Sequence, residues 1–192
     1  MKKVTFLFSL LLGVVFSIQA QQFNYSDSWG KAGFNLVASE SATVEVIYSV
    51  PMFALEDQTV NGEAMKNIML PGNFLFNDEG APNLPAMGKY VAIPEGSTPS
   101  LRIVNQRTEV IHNVEILPAP IIPLDNDDIP LQHIKNMEIY GKDAFYPASP
   151  VIISEVMQIR GTDVVILSVT PFQYNPVTKD LIVYRDLQIA ID

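Results

Sequence analysis

This chain of 192 residues is expected to be all-β, an antiparallel β-sandwich of jelly-roll type with long loops and little helix. Three observations point there. Apolar residues alternate with polar ones in several short stretches, the period of a half-buried strand. Fourteen prolines divide those stretches and mark edges and extended connections, because proline cannot donate to a central ladder. No stretch repeats its apolar residues convincingly at the helical spacing.

Residues 1–20 read as an export signal. Lys2 and Lys3 supply the basic start, residues 4–16 the apolar stretch, and Ala20 the small residue at the cleavage point. The stretch is shorter than the roughly 20 residues a membrane-spanning helix needs. Residues 21–192 then form one domain. In residues 43–50, Val44, Val46, Tyr48 and Val50 share one face, which predicts a strand. The polar stretch 58–66 is the best place for a helical turn. Residues 101–105 and 110–117 read as two strands, and the β-branched runs 151–157 and 164–170 as two more. Residues 121–146 carry few strand signals. A connection of that length is mobile or functional.

The chain closes on a hairpin. A strand reaching Thr170 leads through Pro171-Phe-Gln-Tyr174 to a turn at Asn175-Pro176, where the Asn side chain can bond nearby backbone and Pro fixes its own φ. On the return strand Leu181, Val183, Leu187, Ile189 and Ile191 share one parity, which Arg185 interrupts. A bulge near Arg185-Asp186, or an edge there, is expected. The last strand stops in mid-pattern at Asp192, which reads as a boundary imposed on the sequence rather than a natural tail.

Composition limits the chemistry. There is no cysteine, which excludes disulfides, thiol catalysis and thiolate metal sites. His112 and His133 are the only imidazoles. His112 reads as a strand residue at a sheet margin and His133 as a solvated loop residue, and no G-x-S-x-G accompanies either. Asp125-Asn-Asp-Asp128 lacks the glycine and distal glutamate of a calcium loop, so no metal is assigned. Gly-rich phosphate cradles are missing too, and no cofactor is expected. Trp29, Tyr25 and Phe34 are more easily read as core aromatics than as a sugar platform. Without Lys2 and Lys3, 10 basic residues face 21 acidic ones, a formal charge of -11. That balance disfavours nucleic acid and anionic lipid, and no membrane contact is expected after signal cleavage. The chain by itself is therefore not expected to be an enzyme.

Several segments resemble one family in order. The run Ile159-Arg160-Gly161, Val164-Val165, Pro171-Phe172-Gln173-Tyr174-Asn175-Pro176, residues 181–184 and Leu187 is similar to the end of the gingipain-type propeptide domain. Gly80-Ala-Pro82 with Leu84-Pro85, then Val91-Ala-Ile-Pro-Glu-Gly96, Pro118-Ala-Pro120 and Tyr146-Pro147 resemble its earlier pieces. The resemblance covers residues 34–192. It implies the N-terminal proregion of a cysteine endopeptidase exported by type IX secretion. Such a proregion is a β-sandwich that keeps the peptidase latent, aids its folding, and takes as its partner the catalytic domain in the same chain.

For peptidases that cut after Arg or Lys, the resemblance implies a basic plug for the specificity pocket. Lys135 and Lys142, on the long connection, are the candidates. Arg160, Gly161, Tyr174, Asn175 and Pro176 are expected to be structural. The Arg160 guanidinium would bind carbonyls or a carboxylate across the sandwich, the Tyr174 hydroxyl would anchor the turn, and Gly161 would supply a backbone shape closed to other residues. The alternative is an exported β-sandwich that binds or adheres at the cell surface with no peptidase attached.

Overall fold

The structure, a computed structural model, describes residues 20–40, 43–72, 78–123 and 130–192. The expected export signal, up to residue 19, and the Asp125-Asp128 stretch lie outside the described residues. In chain order the first strands are β1 (Ala20–Asn24), β2 (Gly33–Ser39), β3 (Val44–Ser49), β4 (Met52–Val60) and β5 (Glu63–Met69). β6 (Met87–Ala92) and β7 (Leu101–Ile111) follow, then one short helix, α1 (Met137–Tyr140). The rest are β8 (Val151–Ile153), β9 (Met157–Ile159), β10 (Thr162–Val169), β11 (Phe172–Asn175) and β12 (Asp180–Ile191).

All strand pairs are antiparallel, as the sequence predicts, and they form three sheets around a shared core. β12 organises the largest. β7 runs along one of its edges, while β11 and then β3 occupy the other, with β2 outside β3. Leu181, Val183, Leu187 and Ile189 are fully buried on the face expected of them. Each such side chain contributes roughly 1.5–3 kcal/mol by leaving water. The expected bulge is present: Tyr184 pairs with Thr108 and Asp186 with Arg107, leaving Arg185 as the extra residue. The second sheet has the order β6-β10-β8, with β9 also on β10, and the third has the order β1-β4-β5. Phe53 of β4 joins the third sheet to the first, stacking on Phe23 and meeting Phe172 edge-on at 5.3 Å.

Four expectations need correcting. Residues 58–66 form no helical turn but the tip of the β4–β5 hairpin, with Asn61 and Gly62 both at positive φ in a two-residue loop. Asn-Gly is the preferred pair for that turn, and Met65 and Ile68 lie buried on the return strand. The two strands expected over 101–117 are one strand ending at Ile111, because β12 is long enough to pair with all of it. Asn113, at φ 59, then turns the chain away. Residues 151–157 divide into β8 and β9 around Ser154, whose hydroxyl takes the Ile166 N–H at 2.9 Å. Finally, His112 is exposed just past the end of β7, where its Nδ1 meets the Asp180 carboxylate at 2.6 Å.

Candidate functional site

Residues 130–146 form a strap across the body, and its polarity is inverted. Polar groups point inward to fixed partners. The Ile121 N–H donates to the Gln132 carbonyl at 2.8 Å, and His133 donates from Nδ1 to the Pro118 carbonyl at 2.7 Å. The Asn136 N–H reaches the Gly80 carbonyl at 2.9 Å, and the Tyr140 hydroxyl donates to the Ile116 carbonyl at 2.9 Å. Burial raises the Tyr140 phenol well above the usual tyrosine range, so it stays protonated as a donor. Asn136 also caps α1, its side-chain oxygen accepting the Glu138 N–H.

Several apolar side chains of the strap point outward, although Tyr140 turns into the core. Leu131, Ile134 and Met137 are 56%, 54% and 67% exposed, and Phe145 is also open to solvent. Leu131 and Ile134 line a cavity of about 720 Å³ against the β4–β5 hairpin tip, residues 58–61. Exposed apolar side chains on a strap pinned by its polar groups are chemically suited to contact with another surface.

The two candidate lysines differ. Lys135 is half-buried, bonded to Glu115 at 2.9 Å and Glu63 at 3.0 Å, with its ammonium 5.5 Å from the Tyr140 ring centre. Burial alone would lower its pKa, but the bonds to Glu115 and Glu63 carry it above the ordinary lysine value. Lys142 is exposed just past α1, and among the described residues no side-chain bond holds its ammonium. The backbone beneath it is held on both sides. Gly141 caps the helix, and Asp143 accepts the Asn175 side-chain amide at 2.8 Å.

The closing hairpin thus fixes the far end of the strap. The Asn175 side-chain oxygen accepts the Val177 N–H at 3.0 Å and the Thr178 N–H at 3.3 Å, the turn chemistry expected there, and Pro176 is buried. Tyr174 exchanges backbone bonds with Tyr146, and Gln173 donates to the Pro147 carbonyl at 2.6 Å. The Tyr174 hydroxyl does not bond its own turn. It reaches the Val114 carbonyl at 2.9 Å, in the segment after β7. Arg160 and Gly161 lie elsewhere, as the two-residue turn between β9 and β10, both at positive φ. Arg160 is exposed, and among the described residues its guanidinium reaches nothing across the sandwich, so its place is one of backbone geometry. Space around Gly161 is open, and its left-handed φ is what favours glycine. Trp29, Tyr25 and Phe34 make no shared platform: Trp29 lies beneath Arg107, Tyr25 beneath Arg185, and Phe34 against Tyr48.

Two outcomes follow from these anchors. Gly80 has φ +73, and a Cβ there would stand 2.5 Å from the Ile134 carbonyl oxygen and 3.0 Å from the Asn136 nitrogen. Gly80→Ala is expected to cost about 2 kcal/mol or more, with the strap loosened first. Hydrogen exchange at the Asn136 amide, read beside the thermal midpoint, checks this. Glu115 holds both Lys135 and Lys179. Burial pushes its carboxyl up, but the two ammonium bonds outweigh that and leave it below the ordinary glutamate value of 4.5. A depressed carboxyl stabilises the fold fully above its unfolded value and loses that contribution as pH falls through the folded one. Below about pH 4.5, exchange at residues 133–136 is therefore expected to quicken. Glu115→Gln should show the quick exchange already at pH 7.

Comparison with known proteins agrees with this architecture. The family model Propeptide_C25 matches residues 32–192. Lys-gingipain of Porphyromonas gingivalis is 25% identical over 137 residues, covering 68% of this chain and 8% of that protein. Gingipain R2 of the same organism is 26% identical over 162 residues, covering 81% of this chain and 21% of the relative. The chain thus spans less than a quarter of the length of these relatives. Among solved structures, the complex of the RgpB pro- and mature domains of P. gingivalis superposes with a TM-score of 0.76 at 19% identity, over 83% of this chain and 84% of that one. A structure addressing the zymogenic latency of gingipain K gives 0.71 at 20% identity, over 91% and 98%. At such identities the superpositions show a shared fold.

Proposed function

Because this chain belongs to the Propeptide_C25 family, we propose that it is the exported proregion of a gingipain-like cysteine endopeptidase, which it keeps latent by covering the active-site cleft. The observation that carries the reading is the inverted strap. Its outward Leu131, Ile134, Met137 and Phe145 offer apolar surface that suits a covering partner. Lys142 stands at the end of that display, and we assign it, rather than Lys135, as the side chain that enters the specificity pocket. Lys135 then has a holding role beneath the strap, through Glu63 and Glu115.

The lack of cysteine in the chain agrees with a proregion that lends no nucleophile. A rigid strap also suits inhibition. The backbone on both sides of Lys142 is fixed before docking, so little ordering entropy is lost on contact, and tethering in one precursor would raise the effective concentration further. Residues 1–20 supply the export signal in this reading, with Gln21 as the first residue of the mature proregion and the catalytic domain following residue 192. Among the described residues no helix is long and apolar enough to cross a membrane.

The test is inhibition in trans. The purified chain, added to a Lys- or Arg-specific cysteine peptidase of this family, is expected to slow cleavage of a small chromogenic substrate. The double variant Ile134→Asp, Met137→Asp places two charges in the dry contact and should raise the half-inhibitory concentration by about tenfold or more. Its unfolding midpoint should move little, because both side chains are more than half exposed. Wild-type chain that leaves the peptidase fully active at micromolar excess would overturn the assignment.

A further inference from the structure

We propose that the open seam between β2 and β6 is a second binding site, one that accepts an extended peptide as an added strand. β2 and β6 are the terminal strands of their two sheets, and neither has a second ladder partner among the described residues. They run in the same direction. At their starts, a Cβ on Gly33 would touch the Met87 sulfur at 3.6 Å, and at their ends Ser39 and Ala92 line the same cavity. Each of their existing partners is antiparallel. One further strand, antiparallel to both, would therefore continue the pattern from β3 through to β10 without a parallel pair.

The backbone groups needed for that strand are turned into the seam. Ile93 donates its N–H to the Asp163 carbonyl of the β10 side, so by alternation the N–H groups of Ala92, Tyr90 and Gly88 face away from β10. Counted the same way from the Val50 N–H bond to the Arg185 carbonyl, the backbone groups of Phe34 and Leu36 face outward from β3. The floor is apolar. Two adjoining cavities of about 350 and 390 Å³ share Ser39, Val44 and Ala92, and the first lies over Phe34, Val46 and Leu167. Leu36 and Tyr90 stand at the rims, 68% and 64% exposed.

Charge sets the direction and chemistry of the guest. At the end where β2 and β6 finish lie Glu40, Glu45 and Asp192, against one cation, Arg102, which Asp192 already binds at 2.9 Å. Lys89 lines the seam three residues back from Ala92. An antiparallel guest enters at the acidic end, so it carries Lys or Arg near its N-terminus and an acidic residue three or four positions later. Apolar side chains at alternate positions face the floor.

A heptapeptide probe, Lys-Val-Thr-Val-Glu-Val-Thr with a fluorophore at its C-terminus, tests this by polarisation against the purified chain. Saturable binding is expected, with hydrogen exchange slowed at Leu36 and Tyr90. The peptide of reversed order keeps composition and alternation but inverts the charges, and should bind about tenfold more weakly. Tyr90→Pro removes one seam-facing N–H from an edge strand, where proline is tolerated, and should weaken the probe to a similar extent without shifting the unfolding midpoint. A second variant, Leu36→Asp, should do the same from the other rim. Equal binding of both peptides, unchanged binding by Tyr90→Pro, or no slowing of exchange at β2 and β6 would each sink the proposal. So would a chain that closes its own seam by dimerising, seen in sedimentation as a dimer lost on Leu36→Asp.

Discussion

Lys142→Ala raises the concentration of chain needed to half-inhibit a Lys- or Arg-specific cysteine peptidase by about a hundredfold, if this ammonium fills the specificity pocket. Truncating one partner of a desolvated, hydrogen-bonded charge pair costs about 2–5 kcal/mol, and each 1.4 kcal/mol is a factor of ten. Much of that cost is the pocket carboxylate left buried without a cation. Lys142→Met therefore fails nearly as badly despite keeping its apolar stem, whereas Lys142→Arg retains most potency against an enzyme that accepts both bases. None of the three moves the unfolding midpoint, because the side chain is exposed and the strap is anchored by other groups. Lys135→Met gives the contrasting pattern, with faster exchange at residues 133–136 and a smaller loss of inhibition. A Lys142→Ala variant as potent as the parent, tested where the parent inhibits, would move the plug elsewhere.

The closing hairpin was legible in the sequence because period-2 alternation acts locally, and the core face of β12 is the face its parity indicates. Even the Arg185 bulge was visible, as a charge breaking an apolar register. The β4–β5 hairpin stands where a helical turn is expected over 58–66: Asn61-Gly62 is a hairpin turn pair, but the polar residues beside it show no clear period-2 alternation. The strap was recognisable only as a long connection. Its inward groups find Gly80, Glu115, Ile116 and Pro118, all distant in sequence, and nothing in residues 130–146 announces those partners. Local pattern would assign Leu131, Ile134 and Met137 to the core, whereas the structure exposes them. The different surroundings of Lys135 and Lys142 are likewise invisible in the sequence, since they depend on which ammonium two remote glutamates capture. The sequence thus offers Lys135 and Lys142 as candidates but says nothing of what each one touches.

Asp186→Ala is expected to be the most destabilising single change in the body of the fold, costing about 3–5 kcal/mol. The Asp186 carboxylate is fully buried at the bulge and accepts from three directions: the Ser49 hydroxyl at 2.6 Å, the Trp29 N–H at 2.9 Å and the Arg107 guanidinium at 2.9 Å. Removing it strips two neutral donors of their acceptor and leaves Arg107 with Asp27 and the face of Trp29. The Trp29 segment, residues 24–32, then loses its hold on β12. Arg107→Ala should cost a comparable amount for the opposite reason, an anion buried with only neutral donors. Asp27→Ala should leave the urea midpoint almost unchanged, since that carboxylate is exposed and water replaces it. The double variant Asp186→Leu, Arg107→Met removes both charges together, so its loss should be smaller than that of either single change. Urea unfolding of the four variants, with the slope checked for constancy, compares these losses, and the single variants Asp186→Leu and Arg107→Met close the cycle that measures the coupling. If Asp186→Ala shifts stability by less than about 1 kcal/mol, the buried carboxylate does not hold the N-terminal segment, and the double variant should then be no better than the single ones.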